Sequence, residues 1–510
     1  MIQKITLLLF AVFALSISAQ TVSIQGGSSY MTIQEAIDAS SDNDVILISG
    51  TWTEAITVSN KSITLRGTDP NTDIIRAAAS PASDGSGNRV VSLSASSTDP
   101  DPLPVLNITI ENLGIKNGND AGNGGGIFAD KITGSLTLSN LIIEDNYASG
   151  NGGGIGLAGS IATITDCTIQ NNLASTDGGA ILAAPNNATG INSVIDIKQS
   201  LIDSNTGRNG GAIYINGNNN FGNDYLIDVN IENSTVSNNS ATSASGGNGG
   251  GAIFSAARPW TSNTAVGNIT LKLVHATIYN NSHEALNKSG LQFGSAALTN
   301  FSAYNSIIVS FGDDVATKAL NFANTNTTDV VNCILGGLNA VPTLVDDVNK
   351  NNLKGRTANE SGLDTASGLQ SLGGNTQVYA ILDKSGFGAL TADDYCTAVT
   401  GISLPAVDQR GYTREGVVDA GAFELGATLS TADITLGDNE MRVYPNPARE
   451  WVNISSQNKI NSVKIYSILG SLEKEVYNSN KFSISDLSSG MHVMVIKTDN
   501  QSLVKRLMVE

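Results

Sequence analysis

The chain has 510 residues, of which 53 are glycine, with 15% charged and 5% aromatic residues and a formal net charge of -18. That composition suits many short strands joined by tight turns better than helices. The negative charge argues against a nucleic-acid partner, whose phosphates need a basic surface. Three cysteines, Cys167, Cys333 and Cys396, allow at most one disulfide, so bridges do not staple the fold.

In chain order, Lys4 precedes an apolar run from Ile5 to Leu15 and small residues ending Ser18-Ala19, the pattern of a cleaved signal peptide over residues 1–19. The run is too short to anchor in a bilayer, and no transmembrane segment is expected elsewhere. Thr32-Ile33-Gln34-Glu35 reads as a capping box opening a short helix, with Ile33, Ala36 and Ile37 on one face to plug the end of a repeat domain. The first strands are expected at Val45–Ile48, Ala55–Val58 and Ile63–Leu65, with turns at Gly50 and Gly67.

Two elements then recur. Gly-Gly-x-Ile stands at Gly124–Ile127, Gly152–Ile155, Gly178–Ile181, Gly210–Ile213 and Gly250–Ile253. A polar residue followed by two small or apolar ones and then Ile, Leu or Val stands at Asn112, Asn140, Asp166, Gln199, Asn233, His275, Asn305 and Asn332. Successive differences are 28, 26, 33, 34, 42, 30 and 27 residues. Constant local chemistry at irregular spacing means that strands and one turn are held while other turns vary. A right-handed parallel β-helix has this property. Coils stacked ~4.8 Å apart turn equivalent side chains into columns. Ile115, Ile143, Ile169, Ile202, Val236, Ile278 and Ile308 would fill the interior, and the polar column would form a hydrogen-bonded ladder. The glycine pairs fit a corner where a Cβ has no room. The β-helix is expected over residues 20–425, with room for roughly a dozen such coils from Val45 to about Leu425.

The ladder reading also covers His275, and Cys167 and Cys333, one residue after the ladder, read as small buried residues. Calcium-dependent lyases need carboxylates on adjacent coils with an Arg or Lys, and hydrolases need two carboxylates at a set separation. Neither set stands out, and Asp313-Asp314, Asp346-Asp347 and Asp393-Asp394 read as solvated turns. Asp84-Gly85-Ser86-Gly87-Asn88 is a candidate for structural calcium, with a plain turn as the alternative. Trp260, in the insertion Ser255 to Asn268, is a candidate ligand contact or a loop pin. His283 follows Asn280-Asn281-Ser282 in a turn and reads as solvent-facing.

From residue 440 to 510 the balance shifts to nine Lys or Arg against seven Asp or Glu, so this end is +2 and the remainder -20, marking a boundary after a linker at 426–439. Five to seven short alternating strands here suit a small Ig-like β-sandwich.

Several resemblances rest on these residues. Tyr30 to Ile37 with Gly50 to Glu54 and Leu65-Arg66-Gly67 resembles the start of pectin-lyase-like β-helix proteins. The Gly-Gly-x-Ile repeats with the steps Asn171-Asn172, Asn238-Asn239 and Asn280-Asn281 resemble polymorphic outer-membrane-protein repeats. Gly373–Thr376, Ala406–Gly411 and Asp419–Glu424 resemble the closing region, about 341–425, of choice-of-anchor Q domains. Tyr444-Pro445-Asn446-Pro447, Gly470, Gly490, Lys505 and Arg506 lie in a stretch that resembles a type A sorting domain of type IX secretion in Bacteroidota, with Met491-His492 where an aromatic commonly follows the glycine. That resemblance implies export by the type IX machinery, removal of the domain by its sortase and attachment to surface lipopolysaccharide. Asp364-Thr365-Ala366 fits the O-glycosylation acceptor pattern of that group.

Together these readings favour a non-enzymatic surface protein for adhesion or glycan binding. A polysaccharide lyase or glycoside hydrolase and a structural envelope component are the alternatives.

Overall fold

The computed structural model describes residues 20–96, 102–186, 190–217, 225–243, 249–256, 268–283, 290–293, 299–310, 318–321, 325–339, 345, 348–382, 396–397, 400–414, 418–427, 442–444, 448–455, 459–467, 472–477, 479–498 and 502–509. The chain divides into two compact units, Met1–Leu429 and Ser430–Glu510.

The first unit is a parallel β-helix with four faces. One coil shows the path: Ser135–Ser139 on the first face, Ile142–Glu144 on the second, Tyr147–Ala148 on the third and Ile155–Ala158 on the fourth, before Ile161–Thr165 returns to the first. The faces are sheets of twelve, ten, six and ten strands. Alternation puts every second side chain inside, as in Leu136 and Leu138, while Thr137 and Ser139 face out. The interior column is in register as its sequence spacing predicts: Ile115, Ile143, Ile169, Ile202, Val236, Ile278 and Ile308 pair in turn and are all buried.

The corners explain the sequence punctuation. Between the first and second faces, Asn112, Asn140, Asp166, Gln199, Asn233, His275, Asn305 and Asn332 all have positive φ, between 45° and 57°. Left-handed backbone is tolerated best by Asn and Asp, which accounts for their excess there. Before the fourth face, a Cβ on Gly153 would lie 2.5 Å from the carbonyl oxygens of Gly179 and Leu173, so a side chain cannot enter.

A second corner, between the second and third faces, carries a more complete ladder than the first. Positive-φ residues Asn171, Ser204, Asn238 and Asn280 each precede a buried asparagine or stand beside one: Asn172, Asn205, Asn239 and Asn281. Asn172 Nδ2 donates to Asn205 Oδ1 (2.9 Å) and to Ile143 O (2.9 Å), and its own Oδ1 accepts from Asn146 N (3.1 Å) and Nδ2 (3.0 Å). The pattern repeats from Asn205 to Asn239 and from Asn239 to Asn281. Each buried amide is therefore satisfied, which is what lets it stand inside an apolar core.

The N-terminal end is plugged by the seven-residue helix Ile33–Ala39, whose Ile33, Ala36 and Ile37 are buried. Thr32 accepts from Glu35 N (3.1 Å), and Glu35 reaches back to Met31 N (3.1 Å). The next coil holds both helix ends. Glu54 accepts from Ile33 N and Gln34 N, and Lys61 Nζ donates to the carbonyls of Ile37, Asp38 and Ser40. These contacts meet the free donors and acceptors of the helix termini.

The second unit is a pair of antiparallel sheets. Arg442–Tyr444, Trp451–Ser455 and Lys481–Ser483 form one, and Leu472–Tyr477, Ile460–Ser467, Gly490–Thr498 and Ser502–Val509 the other. Val452, Ile454, Val463, Ile465, Phe482, Met494, Ile496 and Leu507 fill the space between them.

Candidate functional site

The second face is covered by the chain's own strap, residues 357–382, 406–414 and 418–425. Tyr379 packs edge-on against Tyr279, and Leu363, Val378, Ile381, Ala420 and Phe423 bury Ile307, Val309 and Ile334. The strap docks on the corner column. Thr376 Oγ1 donates to Gln199 O (3.1 Å), Arg414 Nη2 to Asn233 Oδ1 (3.1 Å), and Gly421 N to Asn305 O (2.7 Å). Thr235 Oγ1 donates to Gln409 Oε1 (2.6 Å). Arg414 is 0% and Glu424 1% exposed, paired at 3.2 Å, with further donation to the carbonyls of Val407, Asp419, Gly421 and Ala422. Arg410 pairs with buried Asp408 at 2.6 Å and lies over the Phe423 ring. His275 is fully buried beside Arg414; burial, then that cation, keeps its imidazole neutral.

The corner column itself is bonded in part. Asn140 Nδ2 donates to Asn112 Oδ1 and Asn332 Nδ2 to Asn305 Oδ1, both at 2.8 Å. Asp166 is raised by burial. Cys167 and Cys333 are buried free thiols; burial pushes Cys167 up to about 12 and Cys333 upward as well. Asp84 Oδ1 accepts from Ser86 N, Ser86 Oγ and Asn119 Nδ2, which holds its carboxyl down to about 2 and turns it toward protein donors. Among the described residues no cluster of His, Cys, Asp or Glu is arranged to hold a metal ion. His283, expected to face solvent, is half-buried with its ring against Gly249. Thr365 is half-buried, its hydroxyl 3.4 Å from Asn359 Oδ1. Trp260 and the pairs Asp313-Asp314, Asp346-Asp347 and Asp393-Asp394 lie outside the described residues.

The first face is different. Its outward columns are in parallel register, so residues far apart in sequence become neighbours. One column runs Thr109, Thr137, Thr163, Asp196, Asn230, Lys272, Ser302 and Asp329, and the next runs Glu111, Ser139, Thr165, Lys198, Glu232, Val274 and Tyr304. A depression of about 180 Å³ opens between them, lined by Asp196, Lys198, Asn230, Glu232, Lys272 and Val274. Asn230 Nδ2 donates to Asp196 Oδ1 (2.9 Å). Among the described residues, Lys198, Glu232 and Lys272 make no ion pair within 4.0 Å. Asp228, on the strand that carries Asn230, is raised by burial and then by Asp196, and its Oδ1 is buried with no hydrogen-bond partner. At one end the second column is covered by Cys396, Ile402 and Leu404 against Val274, Tyr304 and Val331. At the other, Arg66 pairs with Glu111.

Sequence reasoning missed this group because its members lie on separate coils; the alternation of polar residues within Ser193–Lys198 and Leu226–Glu232 was the available signal.

In the second unit, Tyr444 is half exposed, Lys505 pairs with Met494, and the backbone of Arg506 pairs with Val493. Gly490 has φ 136°. His492 is buried, with Nδ1 2.6 Å from Glu473 Oε2 and Nε2 2.8 Å from Ser488 O, so both ring nitrogens make polar contacts. Pro445, Asn446, Pro447 and Gly470 lie outside the described residues.

Residues 442–510 match the secretion system C-terminal sorting domain family. The chain is therefore a secreted, cell-surface-attached protein that engages the type IX secretion system. Residues 166–184 are similar to the Chlamydia polymorphic membrane protein repeat, and span one corner residue, Asp166, and one Gly-Gly corner. No curated protein and no solved structure matches the chain. Among the described residues no helix is long and apolar enough to cross a membrane.

Proposed function

We propose that this surface protein is a non-enzymatic glycan-binding adhesin whose binding face is the open first face of the solenoid. The observation that carries this reading is the depression around Asn230, where half-buried charges of both signs and an amide stand without ion-pair partners of their own. Side chains of this kind, spread over a flat parallel sheet, offer donors and acceptors in fixed positions to sugar hydroxyls. Residues from about 341 to 425 act as the closing region of a choice-of-anchor Q, pectin-lyase-like chain, ahead of the linker 426–439. The N-terminal residues 1–19 direct passage across the inner membrane of a Bacteroidota cell. The sorting domain is then removed by the sortase and the rod is attached to lipopolysaccharide. A glycan array with the mature chain tests the binding reading: capture of one or more glycans, lost in Asn230→Ala with Lys272→Ala, supports it, and a blank array refutes it. Deleting residues 440–510 is expected to leave the protein in the periplasm, as fractionation would show; normal surface display of the truncation would refute the export route.

One observation favours a hydrolase as the second reading. The carboxyl of Asp228 is raised by burial and then by Asp196, the direction of shift that a glycosidase acid beside a partner carboxylate needs. A reducing-sugar assay on each bound glycan decides between the two: turnover abolished by Asp228→Asn would establish the hydrolase.

A further inference from the structure

We infer that the first face takes a zwitterionic polysaccharide, one that carries both amino and carboxylate groups, lying extended along the solenoid axis. This deepens the glycan-binding reading and rests on it.

The direction follows from register. Thr109, Thr137, Thr163, Asp196, Asn230 and Lys272 occupy one position on six consecutive coils, so hydroxyl, carboxylate, amide and ammonium groups succeed one another at intervals of ~4.8 Å. A chain laid along the axis meets one such group per coil, whereas a chain laid across it leaves the column after one. Beside the first of these coils Arg66 pairs with Glu111 in the neighbouring column; at the other end, past Ser302, Lys350 and Tyr304 both donate to Asp329 (2.8 and 3.0 Å) while Ile402 and Leu404 cover the neighbouring column.

The charge type follows from desolvation. Across three coils the outward pairs read Asp196 and Lys198, then Asn230 and Glu232, then Lys272 and Val274. A ligand settling on them removes water from two cations and two anions. An uncharged sugar gives back hydrogen bonds but no counter-charge, which leaves those charges poorly compensated. A polyanion satisfies Lys198 and Lys272 but sets its own charge against Asp196 and Glu232, on a chain of net charge -18. A polycation meets the two lysines. Only a ligand bearing both signs can pair with all four charged groups, through charge-assisted bonds stronger than neutral ones.

The test uses the full mature chain and four oligosaccharide series, each from disaccharide to octasaccharide: de-N-acetylated hyaluronan (zwitterionic), hyaluronan (anionic), chitin (uncharged) and chitosan (cationic), with affinity measured by calorimetry. The zwitterionic series should bind best. Its affinity should rise with length until the six-coil track is filled and then level off. Lys272→Gln and Glu232→Gln should each weaken the zwitterionic hexasaccharide on the order of tenfold, the loss of one charge-assisted contact, with little effect on chitin. Thr137→Val should weaken only the longer members. Equal or tighter binding of the uncharged, anionic or cationic series overturns the charge assignment, and affinity independent of length overturns the axial one, while in both cases the face remains a glycan site. Loss of all four series, with circular dichroism unchanged, overturns the glycan-binding reading itself.

Discussion

The first face of the solenoid and the strap over its second face use charged side chains to opposite ends. On the second face, Arg414, Glu424, Arg410 and Asp408 are buried and paired to one another, to strap carbonyls and to the corner column. On the first face, Lys198, Glu232 and Lys272 stand half-buried and, among the described residues, make no ion pair within 4.0 Å, and Asp228 holds a buried oxygen with no hydrogen-bond partner among them. Charge that is fully satisfied holds the protein together; charge left unsatisfied beside a depression costs stability and is kept where a ligand completes it.

That contrast can be broken from the second face with the largest effect. Arg414→Met leaves Glu424 buried without its cation and Asn233 without its donor, and should destabilise the solenoid by about 3–5 kcal/mol in urea unfolding. A loss within error would mean that the strap is decoration. Next comes the interior ladder. Asn205→Ala removes the acceptor used by Asn172 and the donor to Asn239 and Ile169, and should cost about 1–3 kcal/mol, measured the same way. The first face should give the smallest change and the opposite sign. The folded-state pKa of Asp228 lies above its unfolded value, so its contribution favours folding at low pH and is lost as pH rises through the folded value. Asp228→Asn should therefore stabilise the protein at pH 7 by only about 0.5 kcal/mol, since the group is partly solvated, and the gain should vanish below pH 4. A destabilisation at pH 7 would show that the charge of Asp228 is satisfied, against the contrast drawn here.

Parts of this organisation are legible along the chain. The Ile115 to Ile308 column, the capping helix behind Thr32 and the Gly-Gly corners all follow from local patterns, because strand alternation and positive φ act on residues next to one another. The stronger of the two asparagine ladders is visible too, in the step Asn171-Asn172 and its repeats, yet it is easily read as a family signature, since nothing in the sequence says which of two polar residues points inward. The role of Asp408-Gln409-Arg410, Arg414 and Asp419 to Glu424 is not legible: the partners of Arg414, Gln409 and Ala422, which are Asn233, Thr235 and Thr277, lie more than a hundred residues upstream.

The amino-acid sequence by itself determined the coil, its corners, the buried columns and the sorting domain that follows, since each depends on side chains within a few positions of one another. Only the tertiary structure decided which coil sits on which, and so which outward side chains meet. Turns of unequal length separate Asp196, Asn230 and Lys272 by 34 and 42 residues, and backbone hydrogen bonding between stacked strands then places them side by side.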